Sequence, residues 1–383
     1  MTSNIARDDF QAFDIPLHEH LLSSALHATR HLWRRLGQIE SSVLRDRLDA
    51  VEIDRPIYIA GLARSGSTIL LEAIADHPKV ATHTYRDFWS IFTPVWADQA
   101  TRGLRHDGAP PMERAHGDGI MITPDSPEAI EEMLWMEFFD DLHDPLHSNV
   151  LDEDCKNRDF ECFYRDHIQK LLLVRGATRY ASKGNYNLTR LGYLLHVFPD
   201  ARFVLPIRKP LTQIASLQKQ HKLLRSAAEK HPRSVDYLDR VGHFEFGAHR
   251  TPINAGNTAE IEDIIALWED GEEVRGWARY WSHLYGALAD QIEADDQLRE
   301  HVLIIQYEEL CDHSHEALTR LFEHCELDDS EDLVDRYASK LHRPQYYRPQ
   351  FDSTEQQIIE DETRAVADRF QSLANVATSL AGA

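Results

Sequence analysis

Between Gly61 and Thr68 the chain reads GLARSGST, which sets two glycines, one guanidinium and three hydroxyls within eight residues. In such a turn backbone N–H groups converge, and a helix beginning at its end adds a dipole that favours an anion. Ser65, Ser67 and Thr68 can donate further hydrogen bonds. The chemistry this suits is a grip on a phosphate or sulfate group. The spacing comes close to the ATP-binding pattern G-x-x-x-x-G-K-[ST], but Ser67 stands at the lysine position and Arg64 precedes the second glycine. The lysine that reaches the β- and γ-phosphates in nucleotide kinases is therefore missing. Nor does a strand end in a plain magnesium-holding aspartate: ARFVLPI runs into Arg208 and HVLIIQY into Glu308.

A second cationic cluster, Arg208 and Lys209 followed by Pro210, comes directly after ARFVLPI, and Ser216 lies eight residues beyond Arg208. In a parallel sheet both strand ends can open on one crevice, where ligands bind. A guanidinium there can hold a phosphate bidentately, with Ser216 donating from the adjoining helix.

GLARSGSTILLEAIADHP and RFVLPIRKPLTQIAS together resemble the two donor-binding motifs of sulfotransferases that use 3'-phosphoadenosine 5'-phosphosulfate (PAPS). The first is most similar to the bacterial and tyrosylprotein branches, where Arg replaces the Lys of cytosolic members. The resemblance implies that Arg64, Ser65, Gly66, Ser67 and Thr68 hold the 5'-phosphosulfate, while Arg208 and Ser216 hold the 3'-phosphate. Lys183, Gly184 and Asn185 resemble the family's Lys-x-Pro segment, with Asn185 where Pro is usual. That likeness places Lys183 on the bridging or sulfuryl oxygens. IIQYEEL and LFEHCEL are similar to a later strand and helix, so the likeness spans roughly residues 55 to 345. It implies in-line transfer of a sulfuryl group from PAPS to a hydroxyl or amine of a small-molecule acceptor, with 3',5'-bisphosphoadenosine (PAP) as product and no metal. Two other readings stay open: a P-loop nucleotide kinase or NTPase, and a non-catalytic nucleotide-binding protein on the same fold.

Such a reaction needs a group to take the acceptor's proton, support for the sulfuryl oxygens and stabilisation of the leaving phosphate. Arg64 and Lys183 suit the last two tasks. The tyrosylprotein branch carries a Glu shortly after the first helix, where this chain reads HTYRD, and an ungapped count sets Tyr85 in its place. A tyrosine with an ordinary pKa of about 10 is a poor base at neutral pH. The role therefore passes by chemistry to His83, which can titrate near pH 7, or to Asp87, with Arg86 available to hold Asp87 or donor phosphate. As a strand, this stretch would set His83, Tyr85 and Asp87 on one face. His106, His116, His143 and His147 lack metal-ligand spacing. Trp89, Phe92 and Trp96 recur at near-helical spacing and read as packing. The segment KLHRPQYY places Lys340, His342 and Arg343 before Tyr346 and Tyr347, where it could close over the nucleotide.

The elements that must position these groups can be read from apolar periodicity. IYIAG, ARFVLPI and HVLIIQY are short apolar runs of the buried parallel-strand kind, and ILLEAIADHP, RKPLTQIASLQKQHKLL and SHEALTRLFEHC are helices behind them. Alternation of this kind predicts an α/β, P-loop-like three-layer fold whose mostly parallel central sheet is flanked by helices. Residues 1–50 read as an N-terminal helical segment packed on the core, with Gly37 as a stop and Leu21, Leu22 and Leu32 facing inward. Residues 51–350 read as the α/β domain and 351–383 as a C-terminal helix. SPEAIEEMLWMEFF predicts a helix capped by Ser126 with Pro127 in its first turn, and FYRDHIQKLLLVRG another. Residues 98–127 and 231–260 carry no convincing period and read as surface excursions.

Composition sets the outer bounds. The 383 residues, 42% hydrophobic, suffice for one large core or two modest ones. A formal charge of −23, from 41 Lys and Arg against 64 Asp and Glu, repels nucleic acid and anionic membranes over most of the surface. Cys155, Cys162, Cys311 and Cys325 are too scattered for a disulfide framework or a zinc site. The first residues carry acids and no apolar run, and no segment approaches the ~18 apolar residues of a membrane span. A cytoplasmic location and no membrane insertion are the expectations, and oligomeric state stays open.

Overall fold

The apolar run at Ile57 forms strand β1 (Ile57–Ala60), buried along its whole length. The computed structural model describes residues 13–102, 111–113, 121–245, 247–343 and 349–381. After β1 come β2 (Val80–Ala81), a small antiparallel ribbon of β3 (Met112–Glu113) and β4 (Met121–Ile122), and then β5 (Arg179–Gly184), β6 (Arg202–Ile207) and β7 (Val302–Gln306). The main sheet has the order β2-β5-β1-β6-β7, and every pairing in it is parallel. Side chains alternate across it as strand geometry requires. Tyr58, Ala60, Phe203 and Leu205 enter the apolar layer on one face, and Ile57, Ile59, Val204 and Ile305 the layer on the other. This is the α/β class expected, with helices on both faces.

At the N-terminal side, α1 (Leu17–Ala28), α2 (Arg30–Val43) and α3 (Arg45–Leu48) form in sequence. Gly37 does not stop a helix; it lies buried inside α2, where its carbonyl accepts from Lys170 Nζ at 3.0 Å. The inward-facing leucines are also corrected, because Leu21, Leu22 and Leu32 are 58%, 53% and 56% exposed. The inner face of α1 and α2 instead carries the small and polar groups Ser23, Gly37, Glu40 and Ser41, and the leucines that this segment buries are Leu44 and Leu48. Glu40 is held there by Lys170 at 3.1 Å and by the Trp96 amide at 2.6 Å.

α4 (Ser67–Ala75) follows the Gly61–Thr68 loop, and α5 (Pro94–Thr101) follows a short 3-10 turn at Tyr85–Ser90. The helix expected from Ser126 begins only at α6 (Glu132–Phe138). Before it the chain is extended: Thr84 bridges Pro127 antiparallel, Tyr85 N–H donates to Ser126 O at 3.2 Å, and Glu128 N–H donates to His83 O at 2.9 Å. Those tertiary bonds outweigh the local capping signal. α7 (Arg158–Arg175) runs to Gly176, whose φ of 66° ends it. α8 (Leu191–Val197) leads into β6, and α9 (Pro210–Lys230) leaves it with Pro210 in the first turn.

The irregular stretch expected at 231–260 contains α10 (Arg233–Arg240) and the start of α11 (Thr258–Glu269). α12 (Glu273–Ala294) and α13 (Asp296–Glu300) precede β7, and α14 (Tyr307–Asp312), α15 (Ser314–His324) and α16 (Glu331–Ala338) follow it. The last helix, α17 (Ser353–Ala381), packs on α12 and β7. His106, His116, Tyr346 and Tyr347 lie outside the described residues. No described helix is long and apolar enough to cross a membrane, and all four cysteines are free thiols.

Candidate active site

The parallel register sets the site at the carboxyl ends of adjacent strands. Ile59 of β1 lies opposite Lys183 and Ala60 opposite Gly184 of β5, so the Gly61–Thr68 loop emerges beside the Lys183 side chain. Lys183 Nζ donates to Thr68 Oγ1 at 3.1 Å. Gly66 has φ of 102°, and a Cβ there would fall 2.6 Å from the Tyr307 ring; both conformation and space demand glycine. Behind the loop, buried Gln213 donates to Ala63 O at 3.1 Å and accepts from Trp281 Nε1 at 2.9 Å. Among the described residues, the buried Ser65 hydroxyl has no hydrogen-bond partner. By helix geometry, the first N–H groups of α4 have no intrahelical acceptor.

Arg208 leaves the end of β6 and reaches the same turn. Its Nη1 donates to Arg64 O at 3.3 Å and its Nε to Thr212 Oγ1 at 3.1 Å. The guanidinium lies 4.7 Å over the Tyr307 ring, the ring that abuts Gly66, in a cation–π arrangement. Arg64 Nε in turn donates to Ser216 Oγ on α9 at 3.1 Å. Residues 144 and 152 positions apart are thus joined by direct hydrogen bonds. Lys209 is exposed, and its amide donates to Glu308 at 3.2 Å.

A cleft of about 740 Å³, open mouth included, is lined by Arg64, Ser67 and Thr68 of the loop together with Lys183, Glu128 and His243. Glu128 is the residue that sequence reasoning missed. Burial pushes its carboxyl up, but Lys183, a hydrogen bond from Tyr85 and the Ala129 amide hold it at about 2. The Ala129 N–H donates to Glu128 Oε1 at 2.7 Å. The side chain is therefore ionised and aimed at the lysine. Tyr85, which an ungapped count puts in the place of the family's Glu, sits against a carboxylate that arrives from a different segment. The signal that could have found it is the acid at Glu128 just after Pro127, but only together with the pairing of 84–86 against 124–127.

Deeper in the cleft, Glu132 takes both Nη atoms of buried Arg190, at 2.9 and 2.6 Å, and His143 at 2.6 Å. Burial acts against its charge, yet Arg190 and His143 hold its carboxyl at about 2. Glu245 behaves in the opposite way. Only 2% exposed, it accepts from Asn185 Nδ2 and from the Ala63 backbone of the loop. Burial pushes its carboxyl up to about 8, and neighbouring Glu132 adds to the rise.

His83 and Asp87 are not brought to this cleft. His83 is 2% exposed, its Nε2 is 2.8 Å from His167 Nε2 and its Nδ1 is 3.4 Å from the Tyr180 hydroxyl. Burial pulls its imidazole down. Asp87 closes a capping box with Thr84 and pairs with Arg175 at 2.7 Å, while Arg86 pairs with Asp125 at 2.7 Å. The expected strand is a 3-10 turn, so His83, Tyr85 and Asp87 share no strand face. Trp89 is 39% exposed while Phe92 is buried. His147 pairs with Asp144 at 2.9 Å. In the late basic segment, Arg343 pairs with Asp312 and Lys340 lies 4.6 Å over the Tyr337 ring.

The model of a family described as "Sulfotransferase family" matches residues 56–262. Among solved structures, the chain is similar to sulfotransferase STF9 from Mycobacterium avium, at 14% identity and a TM-score of 0.49, over 86% of this chain and 80% of that one. It is also similar to sulfotransferase STF1 from Mycobacterium tuberculosis H37Rv, at 15% identity and a TM-score of 0.48, over 96% of this chain and 93% of that one. No curated protein matches it.

Proposed function

We propose, from the premise that this chain belongs to the sulfotransferase family, that it moves a sulfuryl group from PAPS to a hydroxyl or amine of a small-molecule acceptor. The observation that carries the reading is the junction of the two basic stretches, Arg208 on the Arg64 carbonyl and Ser216 on the Arg64 guanidinium. A doubly phosphorylated nucleoside needs cations at two points, and in support of that need Arg64 lines the cleft while Arg208, hydrogen-bonded to it, lines a separate opening with Lys209. We take Arg64, standing where cytosolic members have lysine, to align the loop with the bacterial and tyrosylprotein branches.

In this reading Arg64, Ser65, Gly66, Ser67 and Thr68 hold the 5'-phosphosulfate, and Arg208 and Ser216 the 3'-phosphate. Glu128 takes the acceptor's proton as the acceptor oxygen or nitrogen bonds to sulfur. The bond from sulfur to the bridging oxygen breaks, and PAP leaves with that oxygen and its electron pair. Lys183 and Arg64 stabilise the charge developing on the bridging oxygen. Glu128 stays ionised at neutral pH because Lys183 faces it. When Lys183 turns to the donor it shares its charge, so the basicity of Glu128 rises on donor binding.

The test pairs calorimetric binding of PAP and of magnesium ATP with transfer from 35S-labelled PAPS to a panel of alcohols and amines. The reading expects PAP to bind far more tightly than ATP and label to reach an acceptor. Preference for magnesium ATP with hydrolysis would make the chain a nucleotide hydrolase or kinase instead.

A further inference from the structure

Beside the cleft lies a second cavity of different chemistry, holding about 620 Å³ with its open mouth included. Its walls are largely apolar: Leu26 of α1, Trp33 of α2, Phe88, Trp89, Met133 and Met136. α1 and α2, which supply one side of it, precede the residues 56–262 that match the family. In a chain of formal charge −23, no carboxylate lines this cavity among the described residues; its ionisable lining is His27, Arg30 and Arg240. Burial, then Arg30 and Arg240, pull the His27 imidazole down, which leaves it an uncharged wall at neutral pH.

Three stretches of chain face the cleft with one part and this cavity with another. Tyr85 hydrogen-bonds Glu128, and Phe88 and Trp89, a few residues on, line the cavity. Glu128, Glu131 and Glu132 line the cleft, whereas Met133 and Met136, in the helix α6 that Glu132 begins, line the cavity. Val241–His243 face the cleft and Arg240 the cavity. At Gly242 the partition has no side chain of its own: with φ of 83°, a Cβ there would lie 2.4 Å from Glu132 Cγ and 3.5 Å from Met136 Sδ. The rest of that partition includes methionine, an unbranched side chain that re-packs readily.

Taking the sulfuryl-transfer reading as its basis, we propose that this cavity receives the apolar arm of the acceptor, an alcohol whose hydroxyl lies in the cleft beside Glu128. An arm that passes Met133 and Met136 exchanges water for an apolar wall, while the absence of carboxylates gives a cationic arm no partner. Each buried methylene then multiplies affinity by about four until the cavity is filled.

The experiment uses the full chain with and without saturating PAP. Binding of n-alkanols from butanol to decanol is followed by tryptophan fluorescence, since Trp33 and Trp89 line the cavity. Sulfation of the same alcohols by labelled PAPS runs in parallel. The wild type shows an affinity that rises about fourfold per methylene, and kcat/KM follows it. Leu26→Trp, which fills the cavity, flattens the series without changing PAP affinity. Trp89→Ala removes wall instead of filling space and lowers affinity across the series, so the proposal stays testable even if Leu26→Trp folds poorly. Intact PAP binding with no dependence on chain length overturns the acceptor cavity and leaves the donor reading standing. Alkanol binding without PAP binding overturns both the donor reading and the cavity's part in it.

Discussion

Replacing Glu245 by Gln removes an ionisation from behind the anion loop and leaves an oxygen able to accept from Asn185 and the Ala63 amide. In the folded chain the Glu245 carboxyl is raised from an ordinary 4.5 to about 8, chiefly by burial. Its stabilising proton is fully in place below pH 4.5 in both folded and unfolded chains. As pH rises, the unfolded carboxyl ionises first, and the advantage of the folded chain shrinks until the folded group also loses its proton near pH 8. At about 1.4 kcal/mol per pH unit, the wild type loses roughly 3 kcal/mol to Glu245→Gln between pH 4.5 and 7. The gap widens to roughly 5 kcal/mol by pH 9 and then stays constant. Urea unfolding of both proteins at pH 5, 6, 7, 8 and 9 measures this gap directly. PAP binding adds a second readout: above pH 8 an ionised Glu245 opposes the anion, so affinity falls in the wild type and holds in the variant. Parallel stability curves for the two proteins between pH 5 and 9 would refute the reasoning, because they would mean that this carboxyl ionises in the folded chain as it does in water.

Glu128→Gln lowers kcat by about 100- to 10,000-fold, the range of a lost proton-transfer group, while calorimetry finds PAP affinity retained. His83→Gln and Asp87→Asn keep turnover within a few-fold once folding is confirmed, and a large kcat loss in either would return the base to those positions. Arg208→Lys weakens PAP by about 10- to 100-fold through loss of bidentate contact, with an analogue lacking the 3'-phosphate bound as before; equal losses for both would break the assignment of Arg208 to that phosphate. Glu132→Gln leaves the buried Arg190 guanidinium short of a counter-charge and costs roughly 3–5 kcal/mol in urea unfolding at pH 7. Because the Glu132 carboxyl is depressed to about 2, that difference is present above pH 4.5 and fades as pH falls toward 2.

The side of the cleft proposed to hold the donor was legible because its information is local. The strand, the glycine loop and the helix that make the grip are contiguous between Ile57 and Ala75, and the Arg208–Ser216 spacing is set by one strand end and one helix. The Glu128 side was not legible, since Glu128 reaches its place through backbone bonds between residues 84–86 and 124–127 that no local pattern announces. β5 escaped notice for a related reason: RYASKG alternates too weakly to read as a strand, and its place beside β1 comes from the sheet. Helical periodicity found helix in this region but missed the break at Thr29, set a stop at Gly37 inside α2, and misjudged the orientation, because Glu40 and Lys170 neutralise each other inside the core while Leu21, Leu22 and Leu32 face outward. The pKa of Glu245 had no sequence signature at all, as it follows from burial among distant segments.

The antiparallel contact between residues 84–86 and 124–127 clamps both feet of the intervening stretch. The bond from the Glu128 N–H to His83 O continues that clamp, so Glu128 is tied to it through its own backbone. Loop closure grows only logarithmically with length, so doubling the span would cost about 0.6 kcal/mol. Changes of length in that stretch therefore leave the backbone that carries Glu128 anchored beside His83.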